Sequence, residues 1–142
     1  MANEDLEISG ANEFAEELEK MLQEQPKICE KALKSVGNKF RKRVRQVTKE
    51  STEKITGKLI RGYNLSKVSR NGFGDMDIDF YATSPHFHLV EHGHVQKDKK
   101  GKEIGVVPGR LMVHQVREEF KDTMPEELQK ALDTLLKKEG LL

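Results

Sequence analysis

An α+β fold is predicted: a small antiparallel sheet packed by a long N-terminal helix and by C-terminal helices. Three features of the 142-residue sequence predict it. Apolar residues recur every three or four positions over residues 9–51 and again from 110 onward. Residues 75–81 alternate apolar and acidic with a period of two. Between the helical stretches, Asn71-Gly72 gives a turn signal followed by Gly74.

Residues 9–25 read as a first helix. Phe14, Leu18, Met21 and Leu22 form one apolar stripe, and Ser9 or Asn12 is the cap. Pro26 interrupts it and suits the first position of a following helix, where its missing N–H costs nothing. Residues 27–51 carry the strongest periodicity of the chain, in Ile28, Ala32, Val36, Phe40, Val44 and Val47, broadened by Leu33. Gly37 is a defect in that helix worth about 1 kcal/mol against Ala if exposed. A polar connection from Ser51 ends at Thr56-Gly57.

Residues 58–69, with Leu59, Ile60, Tyr63, Leu65 and Val68, read as a strand that pairs with 75–81 as a hairpin. In the second strand Met76, Ile78 and Phe80 take one face and Asp75, Asp77 and Asp79 the other, pointing to solvent or to a partner. Ser84-Pro85 ends the hairpin, and 86–92 reads as a short helical turn or an extended crossing. Residues 95–103 read as a mobile loop around Lys97-Asp98-Lys99-Lys100-Gly101-Lys102. Ile104, Val106 and Val107 suggest a third short strand, stopped by Pro108-Gly109. A helix over 110–122 carries Met112, Val116 and Phe120. Thr123-Met124-Pro125-Glu126 has the form of a capping box that restarts a helix with Leu128, Leu132 and Leu135, closed by Gly140.

The length fits one domain over 1–142, with residues 1–8 expected to be disordered and 124–142 a helical extension. Basic and acidic residues balance, 25 against 24, which argues against a dedicated nucleic-acid binder but not against a local basic patch. The single cysteine, Cys29, excludes an intrachain disulfide and lies beside the apolar stripe as a core thiol. Residues 1–10 lack the apolar segment of a signal peptide, and no apolar run approaches the ~20 residues that span a bilayer. Neither secretion by that route nor a place in the membrane is expected.

His88-Leu89-Val90-Glu91-His92 matches the H-x-x-E-H pattern of zinc hydrolases, with His86 and His94 flanking it. Pro85 and Gly93 leave no room for a long carrier helix, and only Glu118 and Glu119 offer a third ligand from downstream. The structural alternative packs Leu89 and Val90 inward and leaves Glu91 and the histidines to hydrogen-bond the loop or line an interface. Lys39, Arg41, Lys42, Arg43, Arg45 and Lys49 form a basic run around the apolar stripe. It is either a solvated face or a surface for sequence-independent contact with DNA or an acidic partner. Its one aromatic residue, Phe40, belongs to the apolar stripe, so the run gives no support to base stacking.

Three segments in order resemble the minor tail components of lambdoid and related phages, the gene-product-ten family, which is common in prophages. They are Thr56-Gly57-Lys58-Leu59-Ile60-Arg61, then Val90-Glu91-His92-Gly93-His94 after Tyr81-Ala82, and Val107-Pro108-Gly109-Arg110-Leu111-Met112. The resemblance spans about residues 10–125. It departs where Lys54-Ile55 replace a Pro-Val and where the tail beyond Met124 is longer.

The resemblance implies a structural virion protein rather than an enzyme. It implies a ring subunit, sixfold in that setting, acting in tail completion and head–tail joining at the neck. Its partners would be other copies of itself, the tail terminator, tube or sheath, and head-side neck proteins, with non-specific contact to DNA in the lumen. It would be found in the virion, and in the host cytoplasm during assembly, and would need no cofactor or metal. Thr56, Gly57, Leu59, Val90, Glu91, His92, Gly93, His94, Gly109 and Arg110 are expected to be structural, with Gly57 and Gly93 serving backbone conformation and Glu91 and Arg110 forming a charged pair. The competing readings are a small DNA-contacting protein using 39–49 and a zinc hydrolase using His88 and His92.

Overall fold

The computed structural model describes residues 9–51, 56–70 and 75–141. Two long helices dominate, α2 (Pro26–Ser51) and α5 (Met112–Lys138). At 1.5 Å per residue each extends about 40 Å. They run antiparallel: Ile28 and Ala32 share a buried cluster with Leu132, Lys39 meets Glu127, Arg43 meets Glu119, and Val44 and Val47 pack with Met112, Val113 and Val116.

The apolar stripe predicted on α2 is the one buried. Ile28, Ala32, Val36, Val44 and Val47 are all buried, and Phe40 is half-buried. Pro26 opens α2 after the single residue Gln25, which ends α1 (Ser9–Glu24). Leu18, Met21 and Leu22 of α1 pack on the cluster around Cys29 and Leu132. The cap read at Ser9 or Asn12 and the packing read for Phe14 rest on side chains outside those described, and 1–8 and the Asn71-Gly72 and Gly74 turn lie outside the described residues.

The strand read over 58–69 divides. Residues 56–61 form a short helix, α3 (Thr56–Arg61), followed by β1 (Tyr63–Leu65) and β2 (Ser69–Arg70). The reason is burial. A continuous strand would set Leu59, Arg61 and Tyr63 on one face and carry a guanidinium inward. One helical turn buries Leu59 and Tyr63 fully and leaves Arg61 exposed.

The return strand is β3 (Met76–Asp77) and β4 (Phe80–Ala82). It pairs antiparallel as predicted, Tyr63 with Ala82 and Ser69 with Asp77, and Ser66 N–H to Asp79 O (2.8 Å) joins the two ladders. Met76, Ile78 and Phe80 are half-buried and Asp75, Asp77 and Asp79 exposed, so the alternation holds.

Phe40 of α2 holds this sheet to both helices, edge-on to Phe80 (5.2 Å between centroids) and to Phe120 (5.3 Å). Gly37 is no defect here. A methyl on it would stand 3.3 Å from Leu65 Cδ1 and Ile78 Cδ1, so its bare Cα is what lets the sheet lie close against α2.

Residues 87–92 form α4 (Phe87–His92), the helical one of the two alternatives. The third strand does not join the first sheet. It is β6 (Glu103–Pro108), paired with β5 (Gly93–Lys97) as a separate hairpin, so the stretch read as a loop at 95–103 is the end of that hairpin and its turn. The helix expected to stop at 122 and restart runs unbroken as α5, with Pro125 inside it. Thr123 Oγ1 donates back to Glu119 O instead of capping a new helix. Proline at 125 deprives only the carbonyl of Lys121, which lies on an exposed stretch that water can serve, while Phe120, Leu128 and Leu132 stay anchored on both sides.

Candidate functional site

The second and third resembling motifs come together in space. Chain leaving α4 through Gly93 runs beside chain entering α5 through Gly109. Arg110 N–H donates to Val90 O (2.9 Å) and Leu111 N–H to Glu91 O (3.1 Å). Gly93 has φ +81°, and a Cβ on it would lie 2.6 Å from Gly109 N. A Cβ on Gly109 would lie 2.6 Å from the carbonyl carbon of His92. Both positions therefore exclude any side chain, one by conformation and contact and the other by contact alone.

Beneath this crossing Glu91, 3% exposed, caps α5. Its Oε1 accepts from Val113 N–H and its Oε2 from His114 N–H, each at 3.0 Å. Two of the otherwise unpaired donors of the α5 N-terminus are thus satisfied by one carboxylate, with its charge at the positive end of the helix. This corrects the expected pair with Arg110, whose Nη1 donates instead to Ser51 O at 2.6 Å. Leu111 adopts the left-handed conformation (φ 49°) at the helix entry and turns the first N–H groups of α5 toward α4. Gly57 is corrected too. It is an ordinary helical residue, and a methyl there would only touch the Arg61 guanidinium at 3.6 Å.

The histidines do not assemble a zinc hydrolase. His88 and His92 stack on successive turns of α4, 6.2 Å between ring centroids, and both are exposed. Glu91, which would be the base, faces the other way into α5. Glu119, a candidate third ligand, is held by Arg43. Among the described residues no group of three or more His, Cys, Asp or Glu is placed to hold a metal. His94 lies opposite Val107 in the β5–β6 ladder.

Under the site, Tyr63 stands fully buried with its hydroxyl 2.8 Å from Thr48 Oγ1, which itself donates to Val44 O. Burial pushes the Tyr63 phenol up, the Thr48 hydrogen bond partly opposes this, and the Glu91 charge adds to it. Burial likewise pushes up the free Cys29 thiol, against a smaller opposite pull from Arg70, as fits a core thiol.

The basic run on α2 divides into two edges. Arg43 makes two bonds to Glu119, at 2.9 and 3.0 Å, and Lys39 pairs with Glu127. The hydrogen bond with Arg43 holds the Glu119 carboxyl below its ordinary range, and Lys39 does the same for Glu127. Arg45 Nη2 reaches Tyr63 O (3.5 Å) and Arg41 Nη2 reaches Asn38 Oδ1 (3.1 Å). Lys42 and Lys49 are exposed.

A groove of about 520 Å³ between α2 and the β1–β2 connection is lined by Lys31, Lys34, Asn38, Arg41 and Lys67, together with Glu30, Ser66 and the apolar Leu65, Val68 and Ile78. Glu30 is paired with Arg70. The sequence reading missed Lys31 and Lys34. Their spacing with Asn38 and Arg41, three and four residues apart, placed them on one face all along.

Among the described residues no helix is long and apolar enough to cross a membrane. No curated protein and no solved structure matches the chain. One family profile does, described as "Bacteriophage HK97-gp10, putative tail-component", over residues 12–93. That span exceeds half of the 142 residues and takes in α1 from Asn12, α2 to α4, the first resembling motif and the second as far as Gly93; the Gly109-Arg110 motif lies beyond it and is tied in by the crossing at Gly93. The chain belongs to the HK97-gp10-like family of bacteriophage tail components.

Proposed function

We propose that this chain is a non-enzymatic ring subunit at the head-proximal end of a phage or prophage tail, acting in tail completion and head–tail joining at the neck. The supporting observation is how the motif residues are used. Glu91, Gly93 and Gly109 are all spent on fixing one backbone crossing and one helix start, and none presents a reactive group to a cleft. Such a chain works by presenting shaped surfaces. Its partners are further copies, sixfold in the setting of the family, with the tail terminator, tube or sheath on one side and neck proteins on the other. It resides in the virion, after assembly in the host cytoplasm. Deletion of the gene from an inducible phage tests this: electron microscopy is expected to show heads and tails that fail to join. Complete, infectious particles without the protein would refute it.

A second reading is favoured by one observation, the lysine- and arginine-lined groove beside α2. It suits sequence-independent contact with the phosphates of DNA passing through the lumen. The residues to change are Lys31, Lys34, Arg41 and Lys42, since Lys39 and Arg43 are engaged by α5. A salt-dependent mobility shift abolished by alanine at those four supports it, and unchanged mobility of DNA at low salt removes it.

A further inference from the structure

The β5–β6 hairpin is inside out for a free surface. Val95 and Val106 face each other across the ladder and are 43% and 74% exposed, and Ile104 at the bulge is 63% exposed. The opposite face, with His94 and Val107, is half-buried toward the body. A two-stranded hairpin is marginal in water unless an apolar face is covered, and three branched apolar side chains grouped outward mark a contact surface. Its turn is basic. Lys97, Lys99, Lys100 and Lys102 are exposed; Glu103 stands opposite Lys97 in the ladder and Asp98 accepts from Lys100 N–H and Lys102 N–H, so four cations outweigh two carboxylates there.

The same chain carries the complement elsewhere. Helix α1 holds five glutamates and one lysine. Between it and α5 lies a groove of about 310 Å³ floored by Leu18, Met21, Leu132 and Leu136. Its rim is Glu17, Glu24 and Asp133 against the single Lys20. An apolar ridge with a cationic tip thus matches an apolar groove with an anionic rim, in both respects at once.

We infer that the β5–β6 hairpin of one copy docks in the α1–α5 groove of the next. Donor and acceptor are different surfaces, so the contact is head-to-tail and every copy offers both halves. Such a contact closes into a ring when the rotation per copy allows. The inference rests on the self-assembly proposed above and names the surfaces that carry it.

The test uses the full chain. Sedimentation velocity over a concentration series is expected to show self-association of the wild type. I104S/V106S weakens it about a hundredfold by removing two buried branched side chains, with circular dichroism unchanged because both residues are exposed when alone. K99E/K100E and E17K/E24K, each by itself, weaken it about tenfold or more. Mixing these two charge-reversed proteins restores it, because each hairpin then meets a groove of opposite sign. A wild type that stays monomeric overturns the inference. So does association that survives I104S/V106S, and so does a mixture no better than its parts. Association that persists with the hairpin changed leaves the ring reading standing, whereas infectious particles from the gene deletion strike that reading and not this contact.

Discussion

The carboxylate of Glu91 and the backbone N–H of Val113, twenty-two residues apart, form a 3.0 Å hydrogen bond that ties the end of α4 to the start of α5. With the companion bond from His114, one buried side chain does the work of a local cap that Leu111, at the cap position, cannot supply. The longest helix among the described residues therefore begins where α4 tells it to. Glu91→Ala is expected to cost about 2–4 kcal/mol, since two donors lose a charged partner in a buried setting. Glu91→Gln, which keeps one acceptor oxygen, should lose less. Urea unfolding of the two variants checks the order, and equal midpoints for wild type and Glu91→Ala would show that the cap is dispensable.

Gly93→Ala and Gly109→Ala are each expected to cost about 2–4 kcal/mol or to prevent folding, because a methyl at either position collides with backbone that cannot swing away. Gly101→Ala is the control. It shares a positive φ, 83°, but faces open space, so only the conformational cost of about 1 kcal/mol applies. Thermal melts of the three proteins should separate them clearly; a Gly93→Ala protein as stable as Gly101→Ala contradicts the crossing described.

Pro125→Ala is expected to stabilise the protein. Proline inside a helix costs about 3 kcal/mol against Ala, and part of that is recovered when Lys121 O regains its donor. A gain of about 1–3 kcal/mol corresponds to a melting temperature several degrees higher. A lower melting temperature would mean that Pro125 sets a bend the packing requires.

Alkaline pH is expected to destabilise the fold through Tyr63. Its phenol has an ordinary value of 10.0 and is raised in the folded protein, so folding favours the protonated form. The contribution is fully present below about pH 10 and is lost as pH rises through the raised folded value. Tyr63→Phe should cost about 1 kcal/mol at neutral pH through the Thr48 bond, and should flatten the alkaline fall. Denaturant midpoints from pH 8 to 11 measure both, and an unchanged slope in Tyr63→Phe assigns the fall to other groups.

At the acid end the two α2–α5 carboxylates act with the opposite sign. Glu119 and Glu127 are lowered from an ordinary 4.5 by Arg43 and Lys39, so their contribution is present above about 4.5 and fades as pH falls through the lowered folded values. Both pairs are solvent-accessible, and the effect should be small and weakened by salt. Glu119→Gln with Glu127→Gln should narrow the difference in stability between pH 6 and pH 3. No narrowing at low salt would show that the pairs contribute nothing.

Local pattern was enough for the elements whose spacing repeats. The stripe from Ile28 to Val47 specified α2 and its buried face, and the Met76-to-Phe80 alternation specified which side of the return strand packs inward. In both, local periodicity and burial ask for the same thing. Tertiary structure decided the cases where they conflict or where the partner is distant. Leu59 belongs to a helix because a strand would have carried Arg61 inward. Residues 93–97 became a strand because 103–108 pair with them, and α5 runs through Pro125 because packing on α2 holds it from both sides. Glu91 chose backbone donors over Arg110 because the Gly93–Gly109 crossing brings the α5 N-terminus within reach, a closeness that no spacing in the chain encodes.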